Sequence, residues 1–194
     1  LYLENYEKIN RVFEKNFGYS LYFIGGTLLG YIRENDFLEH DKDMDVSYFS
    51  KYEHVADVRK EMIEICEKLL EIGEPIVFIR SNFSTVKYFI KYRINMDDRI
   101  DIMPSWQQGG RIYRPTFVGY EGTKDIILPL RDAKFYGHNI LIPNQPEVKL
   151  AHVYGDNWRI PDKRFKKKDK PDMETIKIVN EQLYYGDECR RLVK

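Results

Sequence analysis

An α/β or α+β fold is predicted by three observations on this sequence. Several long stretches carry apolar residues at helical spacing, which is the pattern of amphipathic helices. Shorter apolar or alternating runs between them are typical of strands. The two patterns mix without strict β-α-β alternation, so both classes stay open. With 194 residues, of which 43% are hydrophobic and 14% aromatic, the chain can bury a substantial core.

The first elements are a helix, a short strand and a second helix. Residues 2–17 place apolar side chains on one helical face, and a glycine follows the last of them. The apolar run 21–24 predicts a buried strand, which ends at Gly25-Gly26. Thr27 then suits the cap of a helix that continues to about Arg33.

A strand with one apolar face and a long helix come next. Apolar and polar residues alternate from 43 to 49, which predicts the strand. An apolar stripe over residues 52–72 predicts the helix, and Gly73 closes it. Cys66 lies on this stripe and is expected to be a small core residue.

Short strands dominate the prediction for the second half of the chain. They are predicted over residues 76–79, 85–93, 99–103, 111–118 and within 125–142. Pro143 and Pro146 open a helix through about residue 154. A basic run over 163–170 precedes a final amphipathic helix over 173–185. We therefore predict one catalytic domain over residues 1–162. Residues 163–194 are predicted to form a basic segment and a C-terminal helix, which pack on this domain or extend from it.

The charge balance and the cysteine content limit the classes of partner and location that the sequence predicts. The chain has 31 Lys and Arg against 31 Asp and Glu, so its formal net charge is zero and no nucleic-acid partner is predicted. No run of apolar residues is long enough to predict a membrane span. Two cysteines, Cys66 and Cys189, do not build a disulfide framework, so a cytoplasmic location is expected. The chain begins with Leu1 rather than Met, which leaves open that it belongs to a larger multidomain protein.

Acidic residues near one another carry the clearest chemical pattern. Asp43 and Asp45 alternate with apolar residues, so on a strand both side chains point to the same face. Asp101 lies inside an apolar strand, where a carboxylate is unexpected unless it has a partner. Such oxygen-rich clusters suit Mg²⁺ or Mn²⁺, although a solvated acidic turn would explain an Asp-x-Asp by itself. A third carboxylate on a neighbouring strand would complete a metal cage for in-line phosphoryl transfer.

The strand–Gly25-Gly26-Thr27–helix segment upstream of these acids has the form of a phosphate cradle. Glycines let backbone N–H groups approach an anion, and a helix N-terminus favours negative charge. A Gly-Gly pair alone is also typical of a tight turn. The combination of cradle, acid pair and third acid is more specific than any of its parts.

These motifs closely resemble the LicD/fukutin family of phosphotransferases. The matching stretches are 25–33 (GGTLLGYIR), 37–38 (FL), 41–45 (DKDMD), 100–104 (IDIMP) and 154–158 (YGDNW) with Pro161. The similarity covers roughly residues 5–165. Two departures are visible, because Glu39-His40 stands where the family has Pro-Trp, and Lys42 replaces the family's second acid. His40 is a candidate base, with a solvent-facing loop residue as the alternative.

The resemblance implies a nucleotidyltransferase-like mixed sheet flanked by helices. It further implies that a CDP-linked small alcohol donates phosphocholine, ribitol phosphate or glycerol phosphate to a hydroxyl of a cell-surface or capsular glycan, and that CMP is released. Asp43, Asp45 and Asp101 would hold Mg²⁺ or Mn²⁺, and Asp101 could also serve as base.

The remaining ligand assignments follow from the same resemblance. Gly25, Gly26 and Thr27 would hold the donor phosphate, with Arg33 as their charge partner.

The basic run 163–170 is either a solvated tail or a contact with anionic ligands or with the inner face of a membrane that carries a lipid-linked acceptor. Trp106 and Trp158 could belong to an aromatic box for choline, although core packing explains most aromatics.

Two further functions stay open. A true nucleotidyltransferase would use the same glycines and acids but release pyrophosphate. The third hypothesis is a non-catalytic nucleotide-binding domain of a larger glycan polymerase. The complete set of three acids argues against it.

Overall fold

A computed structural model of the chain describes residues 1–39, 41, 43–79, 89–93, 98–114 and 117–162. The described residues form four α-helices and nine strands. The helices are α1 (Tyr2–Phe17), α2 (Gly25–Glu34), α3 (Val55–Glu71) and α4 (Pro146–Tyr154). The strands are β1 (Tyr22–Phe23), β2 (Met44–Phe49), β3 (Ile76–Ile79), β4 (Phe89–Arg93), β5 (Arg99–Gln108), β6 (Arg111–Arg114), β7 (Phe117–Glu121), β8 (Arg131–Phe135) and β9 (His138–Ile142).

One mixed sheet organises the molecule. Its main path runs β1-β2-β5-β4-β3, in which β2 and β5 are parallel and the other neighbours are antiparallel. Strand β5 continues beyond β4 and pairs there with β6, which pairs in turn with β7. Strands β8 and β9 form a separate hairpin. The predicted class, a mixed sheet flanked by helices, is confirmed.

The main hydrophobic core joins the sheet to all four α-helices and to the β8–β9 hairpin. Helix α1 contributes one buried side chain per turn, as its apolar spacing predicts. Cys66 of α3 is fully buried, which confirms its predicted place in the core. Buried members from the helices and the hairpin are Leu3, Tyr6, Ile9, Phe13, Leu28, Leu29, Met62, Ile65, Cys66, Leu69, Phe135, Ile140, Ile142 and Leu150.

Three predicted boundaries are wrong. Helix α2 begins at Gly25 rather than at Thr27, because the Thr27 hydroxyl accepts a hydrogen bond from the Asp45 N–H instead of capping the helix. Strand β5 runs through Pro104 to Gln108, since it exchanges β4 for β6 as its neighbour just beyond that proline. Residues 124–126 form a short 3-10 helix instead of a strand.

Several sequence predictions fall on residues that the structure does not describe. These are the start of the predicted strand over 85–93, the basic run 163–170 and the helix over 173–185. No helix within the described part of the chain is long and apolar enough to cross a membrane.

Candidate active site

Two of the predicted acids face each other across the parallel pair of strands. Asp45 of β2 is the register partner of Asp101 of β5. Neighbouring strands lie about 4.8 Å apart, and paired positions present their side chains on the same face. Asp101 is 5% exposed, whereas Asp45 is partly exposed. The sheet therefore brings together two carboxylates that are 56 positions apart in the sequence.

The third predicted acid reaches this edge through an arginine. The Arg99 Nη2 donates a 2.6 Å hydrogen bond to the Asp43 Oδ2, and the Arg99 Nε lies 3.3 Å from the Asp101 Oδ1. One cationic side chain therefore contacts two of the three predicted metal-binding carboxylates. Arg99 precedes Asp101 by two positions, so strand alternation places both on one face, and that spacing could have drawn attention to it in the sequence.

The arrangement of the acids has the chemistry of a divalent-cation site but not its closed geometry. Among the residues that the structure describes, no three His, Cys, Asp or Glu side chains are grouped closely enough to hold a metal. Asp43 and Asp101 nevertheless share one cation, which shows that their oxygens can serve a common positive charge. Carboxylate oxygens are the ligands that Mg²⁺ and Mn²⁺ prefer, so the residues present fit either ion.

The start of α2 is packed against two carboxylates of the chain itself. Gly25 has φ +58, and a Cβ there would lie 2.5 Å from the Asp45 Oδ2. A Cβ on Gly26 would clash with the Asp41 carboxylate. The positive end of the helix dipole favours these carboxylates. The glycines thus let the acids approach the helix start, and phosphate binding by residues 25–27 stays a prediction.

Arg33 lies at the opposite end of α2 and ties it to the segment after α4. Its Nη1 donates a 3.2 Å hydrogen bond to the carbonyl oxygen of Trp158, and its Nε pairs with Glu34 at 2.6 Å. These contacts give Arg33 a bridging role between two of the family-like motifs. A contact between Arg33 and a donor phosphate stays a prediction.

A cluster of buried basic residues and tyrosines adjoins the acids, and the sequence analysis missed it. We call Arg114, Lys149, Tyr22 and Tyr120 the buried cationic cluster. Arg114 ends β6 and is 5% exposed, and Lys149 of α4 is 2% exposed. Burial lowers the pKa of Arg114, which the negative charge of Asp45 partly opposes. The available signal was a lysine next to Leu150 within a short, mostly apolar helix.

Tyr154 links the buried cationic cluster to the acids. The pKa of its hydroxyl is raised to about 12, mainly by burial; the positive charges of Arg114 and Arg33 lower this pKa, and the negative charges of Asp45 and Asp41 raise it. The tyrosine that begins the YGDNW stretch therefore lies within electrostatic reach of both acids and both arginines.

Both tryptophans pack in the core, as the alternative to an aromatic box predicted. Trp106 stacks on Tyr113 at 5.6 Å between ring centroids and packs with Val55 and Val58, while Trp158 belongs to the main core. The two indoles lie in separate buried clusters because each fills a different part of the core. His152 stacks on the Tyr120 ring at 4.7 Å, and His40 lies outside the described residues.

A family model gives one independent match. The model for LicD/FKTN/FKRP, nucleotidyltransferase domain, matches residues 18–145, which is more than half of the chain. The match includes all the predicted site residues from Gly25 to Asp101 and ends before Lys149 and Tyr154. A search of curated proteins finds no significant match.

Three solved structures that match this chain are distant from it in sequence. The crystal structure of ANT(2'')-Ia in complex with adenylyl-2''-tobramycin has 13% identity and a TM-score of 0.44, and the alignment covers 97% of this chain and 94% of that chain. The solution structure of ANT(2'')-Ia has the same identity and TM-score, with 99% and 90% covered. The lincomycin-bound lincosamide antibiotic adenylyltransferase LnuA has 13% identity and a TM-score of 0.43, with 91% and 94% covered.

Proposed function

Because this chain belongs to the LicD/FKTN/FKRP family, we propose that it is a metal-dependent phosphotransferase that uses a CDP-linked small alcohol. Family membership supports transferase activity of the phosphotransferase or nucleotidyltransferase kind. The observation that carries the proposal is the pairing of Asp45 with Asp101 in register, with Arg99 between Asp101 and Asp43. Carboxylates on adjacent parallel strands can hold the divalent cation that such a phosphoryl transfer uses.

All three acids would bind the metal in this proposal, and one of them would also act as a base. Asp43, Asp45 and Asp101 would hold Mg²⁺ or Mn²⁺, which when bound would neutralise charge on the donor phosphates. Asp101 is the most buried of the three and would also take the proton of the acceptor hydroxyl. The hydroxyl oxygen forms the new bond to phosphorus while the bond to CMP breaks, so the phosphoryl alcohol is transferred and CMP leaves.

The proposed substrates are those of the family resemblance. The donor carries phosphocholine, ribitol phosphate or glycerol phosphate, and the acceptor is a hydroxyl of a cell-surface or capsular glycan. The proposed setting is the cytoplasm, with the basic run 163–170 as a contact for the inner membrane face where lipid-linked acceptors are assembled.

A nucleotidyltransferase is the second candidate, and the description of the family model as a nucleotidyltransferase domain favours it. It would move the nucleoside monophosphate and release pyrophosphate. The same acids would serve either reaction, so the released product separates them.

Donor binding can be tested first by thermal shift. CDP-choline, CDP-glycerol, CDP-ribitol and CDP-ethanolamine are each added with Mg²⁺, and a donor at 100 times its Kd should stabilise the native state by about 2.7 kcal/mol. The stabilising donor is then incubated with acceptor glycan, and CMP and pyrophosphate are quantified. Release of CMP supports the phosphotransferase, release of pyrophosphate the nucleotidyltransferase, and donor binding without turnover the non-catalytic domain.

A further inference from the structure

The turn of the β8–β9 hairpin holds a tyrosine where the backbone conformation disfavours one. Phe135 pairs with His138, so the turn consists of two residues, Tyr136 and Gly137. Both have positive φ, +48 and +81. Two-residue turns of this kind favour Asn, Asp or Gly at the first position, because a larger side chain crowds the backbone there. The strain at Tyr136 therefore requires compensation by contacts of its own side chain.

Two contacts of the Tyr136 side chain reach the chain between α2 and β2. The Tyr136 hydroxyl donates a 2.7 Å hydrogen bond to the Asp36 Oδ1. The Tyr136 ring stacks on the Phe37 ring, with 6.5 Å between the centroids and 7° between the planes. The Asp36 Oδ1 also accepts a 2.6 Å hydrogen bond from the Phe37 N–H. Although Tyr136 is 63% exposed, its hydroxyl and its ring are thus both held by neighbouring residues of one segment.

Helix α2 contacts the same segment. We call residues 36–39 the approach segment, because they lead from α2 toward the acids. A Cβ on Gly30 would lie 2.5 Å from the Asp36 carbonyl oxygen and 3.1 Å from the Leu38 nitrogen, so a glycine at this position lets the segment approach the helix. The Asp36 N–H donates a 3.4 Å hydrogen bond to the Gly30 carbonyl oxygen. The approach segment is therefore held by both α2 and the β8–β9 turn.

The approach segment leads directly into the acid motif. The Asp41 N–H donates a 2.9 Å hydrogen bond to the Leu38 carbonyl oxygen. The Asp41 carboxylate lies against Gly26 at the start of α2. Asp43 follows two positions later and immediately precedes β2. A shift of the approach segment would therefore be passed along the backbone to the start of β2.

Side-chain contacts form a second connection from the approach segment to the acids. The Phe37 ring lies 6.2 Å from the Tyr2 ring, measured between centroids. The Tyr2 hydroxyl donates a 3.0 Å hydrogen bond to the Asp98 Oδ1. Asp98 directly precedes Arg99, whose guanidinium contacts two of the predicted metal-binding acids. The aromatic contacts of Phe37 thus extend to the arginine that joins these acids.

We propose that Tyr136 is a positioning residue, which fixes the approach segment through Asp36 and Phe37 and thereby sets the place of Asp43 and Asp45. The proposal rests on the proposed function, because Tyr136 is given no contact with substrate and acts only through the placement of the acids. A misplacement of reacting groups by 1 Å can cost about 10²-fold in rate, so a remote contact of this kind is sufficient to change turnover. The backbone strain at Tyr136 is offset by the contacts that hold the segment.

Hydrogen exchange in the metal-free protein tests the positioning contact without any need for turnover. Tyr136→Phe removes only the hydroxyl, whereas Tyr136→Asn removes the hydroxyl and the ring but suits positive φ. We expect the amides of Phe37 and Asp41 to exchange about tenfold faster in Tyr136→Phe and faster still in Tyr136→Asn, because the segment then opens more often. Tyr52→Phe, at an exposed tyrosine beyond the end of β2, is the matched control and should exchange as the wild type does.

Turnover and thermal melting of the same variants separate positioning from a purely structural role. We expect kcat to fall from wild type to Tyr136→Phe and further to Tyr136→Asn, by about 10²-fold in the latter, with KM little changed. The melting temperature should follow another order, with Tyr136→Asn at or above Tyr136→Phe, because asparagine relieves the backbone strain. Variants that melt earlier but keep the wild-type kcat, or unaltered exchange of Phe37 and Asp41, would overturn the proposal.

Failure of the proposed function would look different from failure of the positioning role. In the first case the wild type would turn over no CDP-linked alcohol, while the exchange of Phe37 and Asp41 would still depend on Tyr136. In the second case the wild type and both Tyr136 variants would turn over the donor equally, which would remove the positioning role and leave the phosphotransferase intact.

Discussion

Two regions of the molecule compensate their charges in different ways. One is the acidic edge, formed by Asp43, Asp45 and Asp101, and the other is the buried cationic cluster. At the acidic edge, Asp43 and Asp101 meet Arg99 at 2.6 and 3.3 Å, so charge is compensated inside the protein. In the cationic cluster, Lys149 has aromatic rings and a distant hydroxyl as its neighbours, and burial shifts its pKa toward the neutral form. Opposite charge therefore stabilises the acids, whereas aromatic rings and a hydroxyl surround the ammonium of Lys149.

The largest expected effect is on turnover when the acidic edge loses a carboxylate. Asp45→Asn or Asp101→Asn should lower kcat by at least about 10²–10³-fold, the scale on which one electrostatic group at a reacting centre acts. Asp132→Asn, on the exposed part of β8, is the matched control and should keep wild-type turnover. CMP release is measured alongside thermal melting, which should show all three variants folded. Near-native turnover in either site variant would refute the assignment.

The next effect concerns the pH dependence of stability at the cationic cluster. Lys149 has a lower pKa folded than unfolded, so between these two values the unfolded chain holds more protons. The free energy of unfolding should therefore rise with pH across that window, by at most about 1.4 kcal/mol per pH unit from this group. Urea titrations at several pH values should show that Lys149→Met loses this contribution. Lys134→Met, at an exposed position of β8, should keep the wild-type profile, and an identical profile in Lys149→Met would contradict the prediction.

A smaller effect is expected where α2 meets the acids. Gly25→Ala places a Cβ at positive φ and against the Asp45 carboxylate, so it should reduce stability by about 1–2 kcal/mol and also displace that acid. Gly18→Ala is the matched control, because Gly18 has φ +71 and open space around its Cβ. Melting experiments should show both variants destabilised by the positive φ, and Gly25→Ala more so because of its contact with Asp45. Only Gly25→Ala should lose activity, and an active Gly25→Ala variant would argue against the contact.

The smallest effect is expected for the arginine that compensates the acids. Arg99→Met leaves Asp43 and Asp101 without their shared cation and should lower metal-free stability by about 1 kcal/mol, since Arg99 and Asp43 are partly exposed. Mg²⁺ should then raise the melting temperature more in Arg99→Met than in wild type. Arg131→Met, an exposed arginine of β8, should respond to Mg²⁺ as the wild type does. An unchanged Mg²⁺ response in Arg99→Met would show that Arg99 does not compete with the metal for these acids.

Local patterns in the sequence determined most of the secondary structure. The apolar spacing of α1 and the alternation of β2 depend on neighbours within a turn or two residues, which sequence reading can follow. The predicted range of β3 agrees with the structure at both ends. The family prediction is confirmed by the match over residues 18–145, because its motifs are contiguous stretches of sequence.

Only the tertiary structure decided how the charges are arranged. The register that pairs Asp45 with Asp101, and the meeting of Arg99 with Asp43, depend on which strands become neighbours. Lys149 and Arg114 are both buried only in the folded chain, and their desolvation follows from that burial. The sequence by itself therefore determined which residue types were present and on which elements, since those depend on short-range order. Long-range packing decided which charged groups are buried and which of them meet an opposite charge, because burial and electrostatic distance exist only in the folded chain.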